Sequence, residues 1–216
     1  MPLRILITGF GPFPGAPYNP TAQLVARLTK LRRPALDGVE RVSHIFRVTY
    51  GDVDRDLPRL LAEHRPDVLL MFGLAARTPH VRVETRARNA ITTIWPDAGG
   101  TRIGLGKITA GGKDALTFGP HSHRLLRAAL QTDVNVRSSR DAGRYLCNYL
   151  CWRAIEASAA SSRPPVAAFI HVPLVPRGTL SLRKGVSRVS FEQLVDAGEA
   201  ILMEMIRVAR SSRAVA

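Results

Sequence analysis

The sequence predicts an α/β fold with a largely parallel sheet. Short apolar runs recur at Leu3 to Thr8, Val68 to Phe72 and Val166 to Val172, as strands buried on both faces read. Segments of helical periodicity separate them, and the first run ends in Gly9-Phe10-Gly11-Pro12-Phe13-Pro14-Gly15, too rich in glycine and proline for regular structure.

The remaining elements follow the same alternation. Asn19-Pro20-Thr21 opens a helix through Leu24, Val25, Leu28 and Leu31, and Arg32-Arg33-Pro34 closes it. Val39 to Thr49 reads as a strand, Val53 to Glu63 as a helix and Val81 to Trp95 as extended chain. Thr101 to Asp114, rich in glycine, reads as loop. Ser122 to Leu130 reads as a helix, Val134 and Val136 as part of a short strand, Ala142 to Ser158 as a helix and Phe191 to Val208 as a closing amphipathic helix. No repeat or linker interrupts the chain, and 216 residues suit one domain, 1–216. In such a sheet, ligands gather beyond the carboxyl ends of the strands. The loop after Thr8, the segment after Phe72 and His171 all fall there.

Composition narrows the classes. No run approaches the roughly 20 apolar residues of a membrane span, and Met1-Pro2-Leu3-Arg4 leads into a strand rather than a signal peptide. Cys147 and Cys151 are the only cysteines, which argues against a disulfide framework and for a reducing, cytoplasmic compartment. The formal charge of +14 invites a nucleic-acid reading. Yet the arginines are dispersed, with no dense basic run, RNP-like aromatic set or zinc-finger spacing, so anionic surface contacts or solubility account for it better.

Three residues carry candidate chemistry, each with a plainer alternative. Cys147 lies near the start of a helix, where dipole and unpaired N–H groups favour a thiolate; a buried core cysteine is the alternative. Cys151, one turn later between Leu150 and Trp152, reads as core. His171 interrupts an apolar strand, as a satisfied core histidine or as a base for a thiol. Glu84, among Arg82, Arg86 and Arg88, is either a salt-bridged surface carboxylate or the third group that holds the imidazole.

Other patterns fail on spacing. Gly9-x-Gly11-x-x-x-Gly15 is not a dinucleotide fingerprint, and Gly112-Lys113 lacks the rest of a phosphate loop. Asp52, Asp54, Asp56 and Glu63 imitate a calcium loop, but Leu57 stands where the turn needs glycine. His121 and His123 flank a serine in a stretch that reads as surface, without an assignable partner.

Four separated blocks resemble the pyroglutamyl peptidase I (pyrrolidone-carboxylate peptidase) family. They are Thr8 to Phe13 with Asn19-Pro20-Thr21, Leu74 to Asn89 around Glu84, Ala142-Gly143 to Cys147-Asn148, and Phe169-Ile170-His171-Val172-Pro173. The resemblance implies a three-layer α/β/α sandwich with a mixed, largely parallel sheet, no metal, no cofactor and a homo-oligomer, commonly a tetramer. It implies a cysteine exopeptidase acting on peptides with a blocked N-terminus and releasing pyroglutamate through a thioester. Carried over, Cys147 is the nucleophile, His171 the base and acid, and Glu84 the orienting group. Phe10 and Phe13 would line the lactam pocket together with Asn19, Tyr145 and Leu146. Leu74 and Ile94 stand where the family carries Gln and Arg, and Arg177 where an acidic residue is common; these differences bear on substrate more than on chemistry. The alternatives are an amidohydrolase using the same triad on another small acyl or lactam substrate, and a non-catalytic basic binding protein on a hydrolase scaffold. A nucleotide-binding domain comes last, since its phosphate loop is missing.

Overall fold

The three apolar runs lie side by side in a six-stranded sheet; the computed structural model describes residues 2–176 and 189–215. In chain order the elements are β1 (Leu3–Phe10), α1 (Pro20–Thr29), β2 (Val39–Phe46), α2 (Tyr50–His64), β3 (Val68–Leu74), β4 (Val81–Glu84), β5 (Arg86–Arg88), β6 (Ala115–Thr117), α3 (Ser122–Ala129), β7 (Val136–Ser139), α4 (Leu146–Ala160), β8 (Val166–Val172) and α5 (Phe191–Val215). The sheet order is β2-β1-β3-β8-β4-β7, parallel at every pair except β8–β4. That antiparallel pair makes the sheet mixed, and β5 and β6 form a separate antiparallel ribbon.

Strand geometry sends successive side chains to opposite faces. Ile5 and Ile7, with Val68, Leu70 and Phe72, pack against α1, α3 and α5. Leu6, Leu69, Met71 and Phe169 pack against α2 and α4. The result is the three-layer α/β/α sandwich that the resemblance implied. An uninterrupted apolar run is what a strand covered on both faces requires.

Several boundaries differ from the sequence reading, for identifiable reasons. Val81 to Trp95 is not one extended stretch. The chain leaves the main sheet at Thr85, Arg86–Arg88 pairs with the short strand Ala115–Thr117, and the Asn89 side chain then gathers a loop. Asn89 Oδ1 accepts from the N–H groups of Ile108 and Thr109, both at 2.9 Å, and its Nδ2 donates to the Thr109 carbonyl at 2.8 Å. The strand from Val39 ends at Phe46, and α2 starts at Tyr50 because Thr49 caps it, accepting from Asp52 N–H at 3.2 Å. Helix α4 starts at Leu146 rather than Ala142, since Gly143 takes φ +86° and turns the chain first. Helix α5 continues past Val208 to Val215. His121 is not a surface residue without a partner: its Nε2 lies 2.8 Å from the Ala167 carbonyl. Arg177 lies outside the described residues.

At the amino ends of the parallel strands, Asp67 ties three segments together. Its carboxylate accepts from Arg4 N–H at 2.8 Å and from the guanidinium groups of Arg163 and Arg213. Asp67→Ala leaves those donors without it and should lower stability by about 2 kcal/mol. A denaturant midpoint that falls while turnover per folded molecule stays constant is the expected result, because Asp67 lies at the end of the sheet away from Cys147.

Candidate active site

The site is assembled by strand register. Gly73 on β3 pairs with His171 on β8, His171 with Arg82 on β4, and Arg82 with Arg137 on β7. These four residues form a row across one face of the sheet, the face covered by α4. Val81, Val83 and Val136 point to the opposite core, which confirms the parity of Arg82 and Arg137. The antiparallel direction of β4 matters here. It brings the start of that strand to the carboxyl end of β8, so Arg82 and Glu84 both reach the histidine.

Glu84 is not a surface carboxylate: its side chain has 0% exposure. Its Oε1 lies 2.7 Å from His171 Nδ1 and 3.3 Å from Arg82 Nε, and Arg82 Nη2 is 3.2 Å from the same Nδ1. A guanidinium only donates, and the Glu84 carboxylate beside it only accepts. The shorter 2.7 Å contact with the carboxylate places the proton on Nδ1, which donates it to Glu84; Arg82 Nη2 then makes no hydrogen bond to Nδ1 and acts as a charge beside it, and the Nε2 lone pair is left free. The imidazole edge also meets the Phe169 ring, centroid to centroid at 5.0 Å. Burial lowers the His171 pKa; Arg82 adds to that, while Glu84 and, more weakly, Asp141 oppose it.

Cys147 is half-buried in the first turn of α4. Its Sγ occupies the space above Gly73, where a Cβ would come within 2.7 Å of the sulfur and 2.6 Å of Phe169 Cζ. Since Gly73 is the register partner of His171, the thiol is seated beside the imidazole. Tyr145 caps the helix without a side-chain hydrogen bond, so the first-turn N–H groups remain available to an anion. Burial pushes the thiol up to about 12, helped by Glu84 and opposed by Arg82 and its own N–H. A raised thiol beside a lowered imidazole favours the neutral pair over the ion pair.

Beside the thiol lies a cavity of about 350 Å³. Phe10, Phe13, Asn19, Tyr145 and Leu146 all line it, together with Leu74, Arg82, Cys147 and His171. The polar atoms of two of them are already committed. Asn19 Oδ1 accepts from Thr21 N–H and its Nδ2 donates to the Gly11 carbonyl, both at 3.1 Å. Thr21 Oγ1 in turn accepts from Phe10 N–H at 3.1 Å. Asn19 and Thr21 thus clamp the backbone that carries the two phenylalanines. Tyr145 donates its hydroxyl to the Pro96 carbonyl at 2.8 Å, so it offers its ring. Ile94, exposed at 67%, does not line the cavity, whereas Leu74 does. Among the described residues, no group of three or more His, Cys, Asp or Glu side chains is arranged to hold a metal ion.

Sequence reasoning missed the work of Asn148, Gly73 and Arg82. Asn148, fully buried, accepts from Arg88 N–H at 2.9 Å and donates to the carbonyls of Arg88 and Ala90 at 2.8 and 2.9 Å, fastening β5 to the helix that carries Cys147. An asparagine next to a candidate cysteine was the available clue. For Gly73, the only clue was glycine interrupting a buried apolar run. Arg82 was visible as a charge near Glu84, but its contact with His171 needs the antiparallel pairing.

Two expectations follow from this geometry. Gly73→Ala displaces the sulfur, and a shift of that size costs roughly a hundredfold in turnover while the fold survives. Near-normal turnover in a folded Gly73→Ala protein contradicts the placement. Because His171 is lowered from 6.5, the acid limb of the kcat/KM profile should lie below that pH. Arg82→Gln removes a lowering influence, so the base is lost at higher pH and the limb moves upward; a downward shift contradicts it.

Comparison with known proteins finds relatives that match along nearly the whole chain. The family model described as pyroglutamyl peptidase matches residues 3–208. The pyrrolidone-carboxylate peptidase of Thermococcus onnurineus is 29% identical over 95% of this chain and 100% of its own length. Pyrrolidone-carboxylate peptidase 1 of Ralstonia nicotianae is 30% identical over 80% of this chain and 79% of its own. A solved mutant structure of pyrrolidone carboxyl peptidase from Pyrococcus furiosus superposes with a TM-score of 0.84 at 25% identity, covering 96% of this chain and 100% of that one. With the match running through all four motif blocks, the chain belongs to the pyroglutamyl peptidase family.

Proposed function

We propose that Cys147, His171 and Glu84 hydrolyse the amide bond that follows an N-terminal pyroglutamyl residue. Family membership makes the chain a cysteine exopeptidase that removes N-terminal pyroglutamate. The observation that supports this assignment of roles is the buried 2.7 Å contact of His171 Nδ1 with Glu84, beside the seat of the Cys147 thiol.

The chemistry runs in two halves. As Cys147 Sγ forms a bond to the pyroglutamyl carbonyl carbon, its proton passes to His171 Nε2. The oxyanion meets the N–H groups of the first turn of α4, aided by the helix dipole. Collapse breaks the C–N bond, and the departing amine takes the proton from Nε2. Water then attacks the thioester, giving its proton to Nε2, and release of pyroglutamate returns that proton to the thiol. Glu84 holds the ring in one tautomer and balances the imidazolium in each half. Phe10 and Phe13 offer aromatic walls to the flat lactam, and Leu74 presents an apolar side chain in the cavity.

The same reading extends to an assembly of identical chains in the cytoplasm, acting on blocked peptides without a cofactor. The exposed Ile94, Trp95 and Leu105 support association. Two unpaired cysteines support a reducing compartment. Among the described residues, no helix is long and apolar enough to cross a membrane.

Release of a fluorescent amine from a pyroglutamyl amide tests the roles. Wild-type turnover should be abolished in Cys147→Ser and reduced roughly a thousandfold in Glu84→Gln, mainly in kcat. Turnover that survives Cys147→Ser overturns the nucleophile, and wild-type hydrolysis of unrelated acyl amides but not of the pyroglutamyl amide overturns the substrate.

A further inference from the structure

The cavity has a neutral side and a cationic side, divided by the thiol. Phe10, Phe13 and Asn19 lie toward β1, while Arg82 and Arg144 lie toward β4 and β7. Beyond Arg82 the row across the sheet continues to Arg137 on β7, the edge strand. With strands about 4.8 Å apart, Arg137 stands roughly 10 Å from His171 on the same face. Arg140 follows at the end of β7, where its carbonyl accepts from Arg86 Nε at 2.7 Å.

The carboxylates in this region are largely spoken for. Glu84 faces Arg82 and His171, and Asp141 binds Arg88 at 2.9 Å. Arg137, Arg140 and Arg144 are exposed, and among the described residues none has an ion-pair partner. With the lactam between Phe10 and Phe13 and the exocyclic carbonyl of the scissile bond at Cys147, the chain beyond that bond has the β4 and β7 side of the cavity open to it. On that path the leaving peptide crosses the arginine side. An extended chain advances about 3.4 Å per residue, so its second and third residues come within reach of Arg137 and its neighbours.

We propose that this cationic edge receives the leaving peptide and makes the enzyme selective for acidic side chains at the second and third positions after pyroglutamate. The inference rests on the pyroglutamyl reading of the cavity and adds a preference that reading does not contain. Exposed charges gain modestly from each pair, and the gain shrinks with salt.

The test compares kcat/KM for pyroglutamyl tetrapeptides carrying Asp, Asn or Lys at those two positions, with a neutral pyroglutamyl amide as reference. The expected order is Asp, then Asn, then Lys, with Asp favoured over Asn by about fivefold at low salt and less at high salt. In the double variant Arg137→Gln/Arg140→Gln the Asp preference should fall to parity with Asn, each rate being taken relative to the neutral amide in the same variant so that any general change in turnover cancels. Equal rates for the Asp and Asn peptides, or a preference that persists in the double variant, overturns the proposal and leaves the pyroglutamyl reading standing. Tight binding of an RNA oligonucleotide without an Asp preference also overturns it, assigning the edge to nucleic acid. Failure to cleave any pyroglutamyl substrate, the reference included, overturns both.

Discussion

A carboxylate with no exposed side-chain surface, that of Glu84, sets the terms for everything around it. Removing such a charge from water costs several kcal/mol unless cations and donors surround it. Here His171 and Arg82 both approach Oε1, while Oε2 finds no hydrogen bond among the described residues. The balance is incomplete for a resting protein and suits one whose neighbour becomes cationic. When His171 accepts a proton, the carboxylate gains a second full positive charge in a poorly screened setting. Arg82 stabilises the carboxylate and at the same time weakens the base, so the imidazole keeps its proton less tightly when the amine must leave.

The fold supplies this arrangement by mixing strand directions. Four parallel strands, β2, β1, β3 and β8, send their carboxyl ends to one edge; β4 and β7 run the other way and bring their amino ends to the same edge. That reversal is why Glu84 and Arg82, on one strand, both flank a histidine on the next. The Cys147 thiol comes from a different layer, on α4, and reaches the sheet only because Gly73 has no side chain to exclude it. Clamps hold the flexible parts in register: Thr21 and Asn19 on the Phe10 loop, Asn148 on β5 and Asn89 on the loop that ends near Thr109. Asp67 performs the anchoring at the opposite end of the sheet, away from the chemistry.

Much of this was legible in the residues, and the gaps have physical causes. The buried strands announced themselves because runs such as Val68 to Phe72 need apolar side chains on both faces. Helix α1 was readable from its Asn19 cap and Pro20. By contrast, β5 and β6 are three residues each and carry no period long enough to detect. Glu84 looked like a surface residue because its arginine neighbours imply solvent, and only tertiary register reveals that Arg82 turns inward with it. Asn19 was readable as part of the cavity wall, but not as a clamp, because its partner carbonyl at Gly11 is set by a loop with no regular pattern. The arginines of β7 were scattered in sequence and became a single edge only when Arg137 fell into register with Arg82.

The central claim is that the Cys147 thiol, served by His171, takes the pyroglutamyl group onto sulfur. Rapid acid quenching of the enzyme with a pyroglutamyl ester, followed by mass spectrometry of its peptides, tests this most directly. The account predicts a pyroglutamyl adduct on Cys147 that appears within the first turnover and disappears as the ester is consumed. An adduct on Cys151 or another residue, or steady hydrolysis with no acylated enzyme even when deacylation is slowed, would contradict it.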